Sequence, residues 1–169
     1  YKEAVSGTTL VDIDTDNPGD SYISRLKKFI LNHNNLPVDT FVLQLSTNDI
    51  RPGAGELGKI SENNKFDTLT VIGALGYILN TVKKTWNCPV LIYSNPPFDN
   101  SKYDQMVEST KELQQKWDFA FFNMWNDPEF NYSPQQKEIL MSDDVHPTRA
   151  GYELSWLPKF EKYLKSILK

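Results

Sequence analysis

The chain reads as an α/β protein whose parallel sheet is covered by helices on both faces. Three runs of strand length point there: 39–46 (DTFVLQLS), 88–95 (CPVLIYSN) and 118–124 (DFAFFNM). Each is apolar almost throughout, the pattern of a strand buried on both faces. The segments between them carry apolar residues at helical spacing, and alternating strands and helices close most economically into parallel βαβ units. The predicted order is β-α-β-α-β-α-β-α, a three-layer α/β/α sandwich forming one domain over 1–169.

The elements follow in order. Residues 2–5 (KEAV) read as the end of a first strand, leading into an irregular loop, SGTTLVDIDTDNPGD. Asp20 or Ser21 is placed to cap a helix on which Ile23, Leu26 and Ile30 share a face, with NNLP as its stop. After the strand at 39–46, residues 47–65 form a long loop rich in Gly and Asn, of a length that usually serves function. The spacing of Leu69, Ile72, Leu75, Ile78, Leu79 and Val82 predicts a helix over 66–86. Met106, Val107, Leu113 and Trp117 do the same for 103–117. Pro134 suits the first turn of a short helix in SPQQKEIL. A last helix spans 148–168, in which Pro158 requires a kink or a turn already loosened.

Composition narrows the function classes. A net charge of −4 argues against nucleic acid as the main partner, which usually leaves a basic patch. The single Cys88 precludes an internal disulfide, which suits a cytoplasmic home slightly better than a secreted one. No apolar run approaches the roughly 18 residues that a membrane span needs.

Ligands of open parallel sheets bind beyond the carboxyl ends of the strands. The segments expected there are VSGT (5–8), LSTND (45–49), SNPPF (94–98) and FNMWND (122–127), with DDVHP at the mouth of the last helix. Gly7 offers a backbone N–H with no side chain in the way, and Asn48 offers an amide. Two such donors make an oxyanion hole, and Asp143 can orient His146 as a base.

This constellation resembles the SGNH hydrolases, also called GDSL-type esterases and acylhydrolases. The family's second block holds a Gly, matched in AVSGTT; its third, G-x-N-D, is matched by STND; its last, D-x-x-H, by Asp143–His146, with the frequent continuation HPTRAGY. The resemblance implies a flavodoxin-like α/β/α fold and ester hydrolysis without metal or organic cofactor. It gives Asp143 and His146 the acid and base roles, and Gly7 and Asn48 the oxyanion hole. The substrates implied are small acyl esters, acetylated sugars or lysophospholipids. Two departures stand out. Ser46 replaces the Gly of the third block, and the first block, G-D-S-[LI], which supplies the nucleophile, is absent. PGDSY (18–22) holds those letters without the preceding apolar strand, so Ser21 reads as a helix cap rather than as the nucleophile. The expectation is a nucleophilic Ser upstream of Tyr1, on a strand–turn–helix unit of about 30 residues. The rival expectation is a catalytically inactive binding domain on the same scaffold.

Weaker alternatives accompany these readings. Asp143, Asp144 and His146 have metal-ligating chemistry. Asp49 suits a structural role on loop amides. His33 suits a helix C-cap. Phe98, Trp125, Phe130, Tyr132 and Met141 suit either a pocket wall or the core, and Lys159, Lys162, Lys165 and Lys169 a solvated helix face.

Overall fold

The computed structural model describes residues 1–12, 20–33 and 36–168. Three strands, β1 (Phe41–Gln44), β2 (Val90–Tyr93) and β3 (Ala120–Phe122), form a parallel sheet in the order β1-β2-β3. Phe41 stands opposite Val90, and Leu91 opposite Ala120. The ladder runs past the strand ends through Phe41 N–H to Pro89 O at 3.0 Å and Leu45 N–H to Tyr93 O at 2.8 Å.

Alternation along the strands divides the apolar residues between two faces. Leu43, Val90, Ile92 and Phe121 join the larger core with Ile23 and Leu26 of α1 (Tyr22–Asn32), Leu75 and Ile78 of α2 (Val71–Thr85), and Met106 and Val107 of α3 (Ser101–Gln114). Leu91 and Phe122 face the other way, into a smaller core with Phe130, Trp156 and the flank of the final helix. The sheet thus has helices on both sides, as the strand composition implies. Leu75 is fully buried near the centre of α2, and its truncation to Ala costs about 2–5 kcal/mol through lost burial and a cavity.

The helix starts are set by side-chain caps. Thr70, Asn100 and Ser133 accept N–H bonds from Gly73, Tyr103 and Gln136, which opens α2, α3 and the short α4 (Pro134–Leu140). Ser133 and Gln136 complete a reciprocal capping box, with Pro134 in the first turn as expected. The last helical stretch runs through α5 (Arg149–Gly151), a π-helical turn at Tyr152–Trp156 and α6 (Leu157–Ile167). Leu157 N–H reaches back to Tyr152 O, so the turn just before Pro158 is already widened. This is the loosened turn that the proline requires.

Several expectations are corrected. Residues 2–5 form no strand; residues 1–6 are exposed, and among the described residues no strand lies alongside them, the Glu3 carbonyl accepting instead from Arg25 Nε–H at 2.6 Å. The segment is nevertheless held at its start, where the Tyr1 ring lies 5.5 Å from those of Phe29 and His33. Helix α2 begins at Val71, not at 66, because Thr70 caps it and Asp67 O accepts Thr70 N–H in a tight turn. Leu69 is therefore outside the helix and 53% exposed. Lys159 is not on a solvated face. It pairs with Asp127 and Glu129 at 2.8 Å each and lies 4.9 Å from the centre of the Phe130 ring. The NN of NNLP and most of DIDTDNPG lie outside the described residues.

Candidate active site

The loops beyond the carboxyl ends of the strands are tied to one another by hydrogen bonds. Gly7 sits in a turn with φ +82°, a conformation that glycine adopts without strain. Nothing lies within 4 Å of where its Cβ would be, so its flank is open. One residue on, Thr8 O accepts Asn48 Nδ2–H at 3.1 Å and the Ser46 hydroxyl at 3.4 Å. Arg51 Nη2 donates to Gly7 O at 3.4 Å. The two candidate oxyanion donors, Gly7 and Asn48, are thereby brought onto adjoining loops. Asn48 Nδ2 carries two hydrogens, and the bond to Thr8 O uses one of them.

Ser46 stands where the resembled motif has Gly. Its Oγ accepts Asn48 N–H at 3.1 Å, so the hydroxyl stabilises the turn that a glycine would otherwise permit. Asp49 is fully buried and accepts Leu10 N–H at 2.8 Å and Val11 N–H at 3.2 Å, the loop-amide role expected of it. Burial pushes its carboxyl above the ordinary range, against the pull of these hydrogen bonds.

Asp143 and His146 form a compact turn before α5. Asp143 Oδ1 accepts Val145 N–H at 2.8 Å and His146 N–H at 2.7 Å. His146 Nδ1 lies 2.8 Å from Asp143 Oδ2 and 3.0 Å from Oδ1. The Val145 amide, then the backbone and ring of His146, hold the Asp143 carboxyl below its usual range despite some desolvation. An ionised carboxylate on Nδ1 holds the ring proton there and leaves the Nε2 lone pair directed away from Asp143. The side chains are 67% and 54% exposed for His146 and Asp143, so the pair is accessible. Among the described residues, no group hydrogen-bonds to His146 Nε2.

The turn is anchored on both flanks. Ser142 N–H and Oγ donate to His146 O at 2.8 and 2.9 Å, and Met141 bridges Pro147. Thr148 caps α5 and donates its N–H to Leu140 O at 2.9 Å. The backbone passes so close here that a Cβ on Gly151 would lie 2.0 Å from Leu140 O, which explains a glycine at this point of HPTRAGY.

The strand ends contribute residues that sequence reasoning missed. Asn95, just past β2, donates from Nδ2 to Val145 O at 2.6 Å and accepts Gln44 Nε2–H at 2.6 Å. Tyr103 is fully buried; its hydroxyl accepts Asn95 N–H at 2.9 Å and donates to Leu45 O at 3.0 Å. Burial pushes the Tyr103 phenol strongly upward, so it serves as a neutral donor. The only signal in the sequence was the position of SNPPF at a strand end, which singles out no residue.

Ser21 is the N-cap of α1. It is 1% exposed, accepts Ser24 N–H at 3.1 Å and donates to Asp12 Oδ1 at 2.6 Å. No imidazole bonds to it. Gly19 of PGDSY lies outside the described residues. His33 caps the other end of the same helix, with Nδ1 3.1 Å from Phe29 O and its ring stacked on Phe29. Among the described residues, no group of three His, Cys, Asp or Glu is arranged to hold a metal ion, and Asp144 does not join Asp143 and His146 in one. No helix among them is long and apolar enough to cross a membrane.

The aromatic candidates divide. Phe130 and Met141 are core residues. Phe98 and Trp125 are half-buried with their rings 5.1 Å apart, both packed on Tyr103. A depression of about 630 Å³ opens beside the 50–65 loop, lined by Ile50, Arg51, Glu56, Leu69 and Lys102 among others. Neither Gly7, Asn48, Asp143 nor His146 lines it; Arg51 links its wall to the Gly7–Asn48 loops.

A scan against protein-family models finds no match to this chain, and searches of the curated proteins and of the solved structures find none either.

Proposed function

We propose that the chain belongs to a serine ester hydrolase of the SGNH type, acting on small acyl esters, acetylated sugars or lysophospholipids. The observation that carries this reading is the Asp143–His146 pair. One ring nitrogen is gripped by a carboxylate and the other is exposed, on a turn that Asn95 ties to the carboxyl end of β2, while Asn48, with Thr8 bonded to it, lies past the carboxyl end of β1.

In this reading the nucleophile is a serine upstream of Tyr1. Its hydroxyl oxygen attacks the ester carbonyl while its proton passes to His146 Nε2. The negative charge formed on the carbonyl oxygen is taken up by Gly7 N–H and the second hydrogen of Asn48 Nδ2, each donor contributing about 3 kcal/mol. Collapse of the intermediate expels the alcohol, which takes the proton from Nε2. Water then repeats the sequence on the acyl-serine. Asp143 holds the ring and offsets the imidazolium charge.

The strand bearing that serine belongs in a sandwich wider than three strands, and the edge of β1 supports this. Among the described residues, β1 pairs with β2 on one side and with no strand on the other. An edge strand of this kind is a template for further pairing.

A second reading, an inactive binding domain, is favoured by one observation: no hydroxyl among the described residues engages His146 Nε2. Hydrolysis of p-nitrophenyl acetate and labelling by a fluorophosphonate probe separate the two. Labelling at one serine, with turnover lost in His146→Ala, supports the hydrolase. Absence of both signals from the full-length protein supports the binding domain.

A further inference from the structure

We infer that Asn95 is the positioning residue that fixes His146 over the carboxyl end of the sheet; this rests on His146 being the base proposed above. The peptide unit joining Val145 to His146 is planar, with its C=O and N–H on opposite sides. Asp143 holds the N–H side through Oδ1 at 2.7 Å, and Asn95 Nδ2 holds the C=O side at 2.6 Å. With both sides bonded, the plane cannot rotate, and the Cα of His146 is fixed at its end. Among the described residues, the other hydrogen bonds of the turn carrying the ring lie within its own segment.

The orientation of the Asn95 amide follows from its partners. Val145 O can only accept, so the group facing it is Nδ2. Oδ1 then faces Gln44, which presents Nε2 to it at 2.6 Å, and Gln44 Oε1 is left to accept the Tyr93 hydroxyl at 3.4 Å. The relay Tyr93–Gln44–Asn95–Val145 therefore runs in one direction, from β1 and β2 to the catalytic turn. Asn95 is 1% exposed, and its backbone is held separately through the Tyr103 hydroxyl. A buried amide bonded on both sides is rigid in a way that an exposed turn alone is not. Gln44 also lies on β1, the strand that leads into the Asn48 turn, so the relay sets the base and an oxyanion donor in one frame.

The test is Asn95→Ala and the near-isosteric Asn95→Leu, which leaves no donor facing Val145 O. The direct readout is the tautomer of the His146 ring, from its nitrogen chemical shifts at a pH where the ring is neutral. The native protein should show predominantly the Nδ1–H form. Both variants should show a mixture, faster exchange of the Val145 and His146 amides, and kcat lower by about ten- to a hundredfold with KM little changed. Gln44→Leu, which removes only the far partner, should move the same signals less and serves if the Asn95 variants do not fold. An unchanged ring tautomer and unchanged exchange in a folded variant would overturn the inference, as would a native ring already in mixed form. If the native protein hydrolyses no ester while the ring still responds to Asn95, the proposed function fails and the positioning role stands.

Discussion

Asp49 and Asp143 do the same thing in two places and titrate in opposite directions. Each carboxylate accepts two backbone N–H groups, from Leu10 and Val11 in one case and from Val145 and His146 in the other. Asp49 is fully buried, and desolvation outweighs those bonds and raises its pKa. Asp143 is more than half exposed, and the same kind of bonding lowers its pKa. Burial decides the sign. Asp49 is thereby a fastener between the 8–11 and 46–49 loops. Asp143 stays ionised and reachable, as an acid that orients an imidazole must.

The largest expected effect is on chemistry at the exposed carboxylate. Asp143→Asn should lower ester hydrolysis on the order of 10⁴-fold, because an amide no longer fixes the ring proton on Nδ1. Its urea-unfolding free energy should change by less than about 0.5 kcal/mol, as befits an exposed site. A large stability loss there would erase the contrast with Asp49.

At the buried carboxylate the effect should be on stability. Asp49→Ala leaves two buried amides unsatisfied and should cost about 2–5 kcal/mol in urea unfolding. A loss under about 1 kcal/mol would mean that water reaches Leu10 and Val11 and that Asp49 is no fastener. The ionised form of Asp49 is the costly one, so its contribution is full below its unfolded pKa and is lost as pH rises through the raised folded value.

Ser21→Ala tests the cap against the nucleophile. Loss of the bond to Ser24 N–H should cost about 1 kcal/mol and leave hydrolysis intact. Abolished turnover in a folded Ser21→Ala protein would relocate the active site.

The smallest effect is a pH signature. The Asp143 pKa is depressed, so its contribution to the turn is present above the unfolded value of about 3.9 and is lost as pH falls through the folded one. Protection of the Val145 and His146 amides from exchange should weaken as pH falls below about 4, and protection that survives full protonation of the carboxyl would show that Asp143 does not hold the turn.

The parts of this molecule that were legible in the sequence are those written locally. Three apolar runs contain the three strands, because their short length and their β-branched and aromatic residues favour strand over helix. Asp143 and His146 stand three residues apart, so one turn suffices to join them. Ser21 was readable as a cap because its partner, Ser24, is equally near. Residues 2–5 misled because only Val5 of KEAV favours a strand, and among the described residues no strand lies beside the segment to pair with it. The start of α2 misled because Leu69 keeps the helical period through a turn that Thr70 ends. Asn95 was invisible for a different reason: its two side-chain partners, Gln44 and Val145, lie about 50 residues away on either side. No local pattern records such a meeting.

The most direct test of the central claim is fluorophosphonate labelling of the full-length protein, with the modified residue mapped by mass spectrometry in the native form and in His146→Ala. The account predicts a single labelled serine upstream of Tyr1, with labelling lost when His146 is removed. Labelling of Ser21, or labelling that persists without His146, would contradict it.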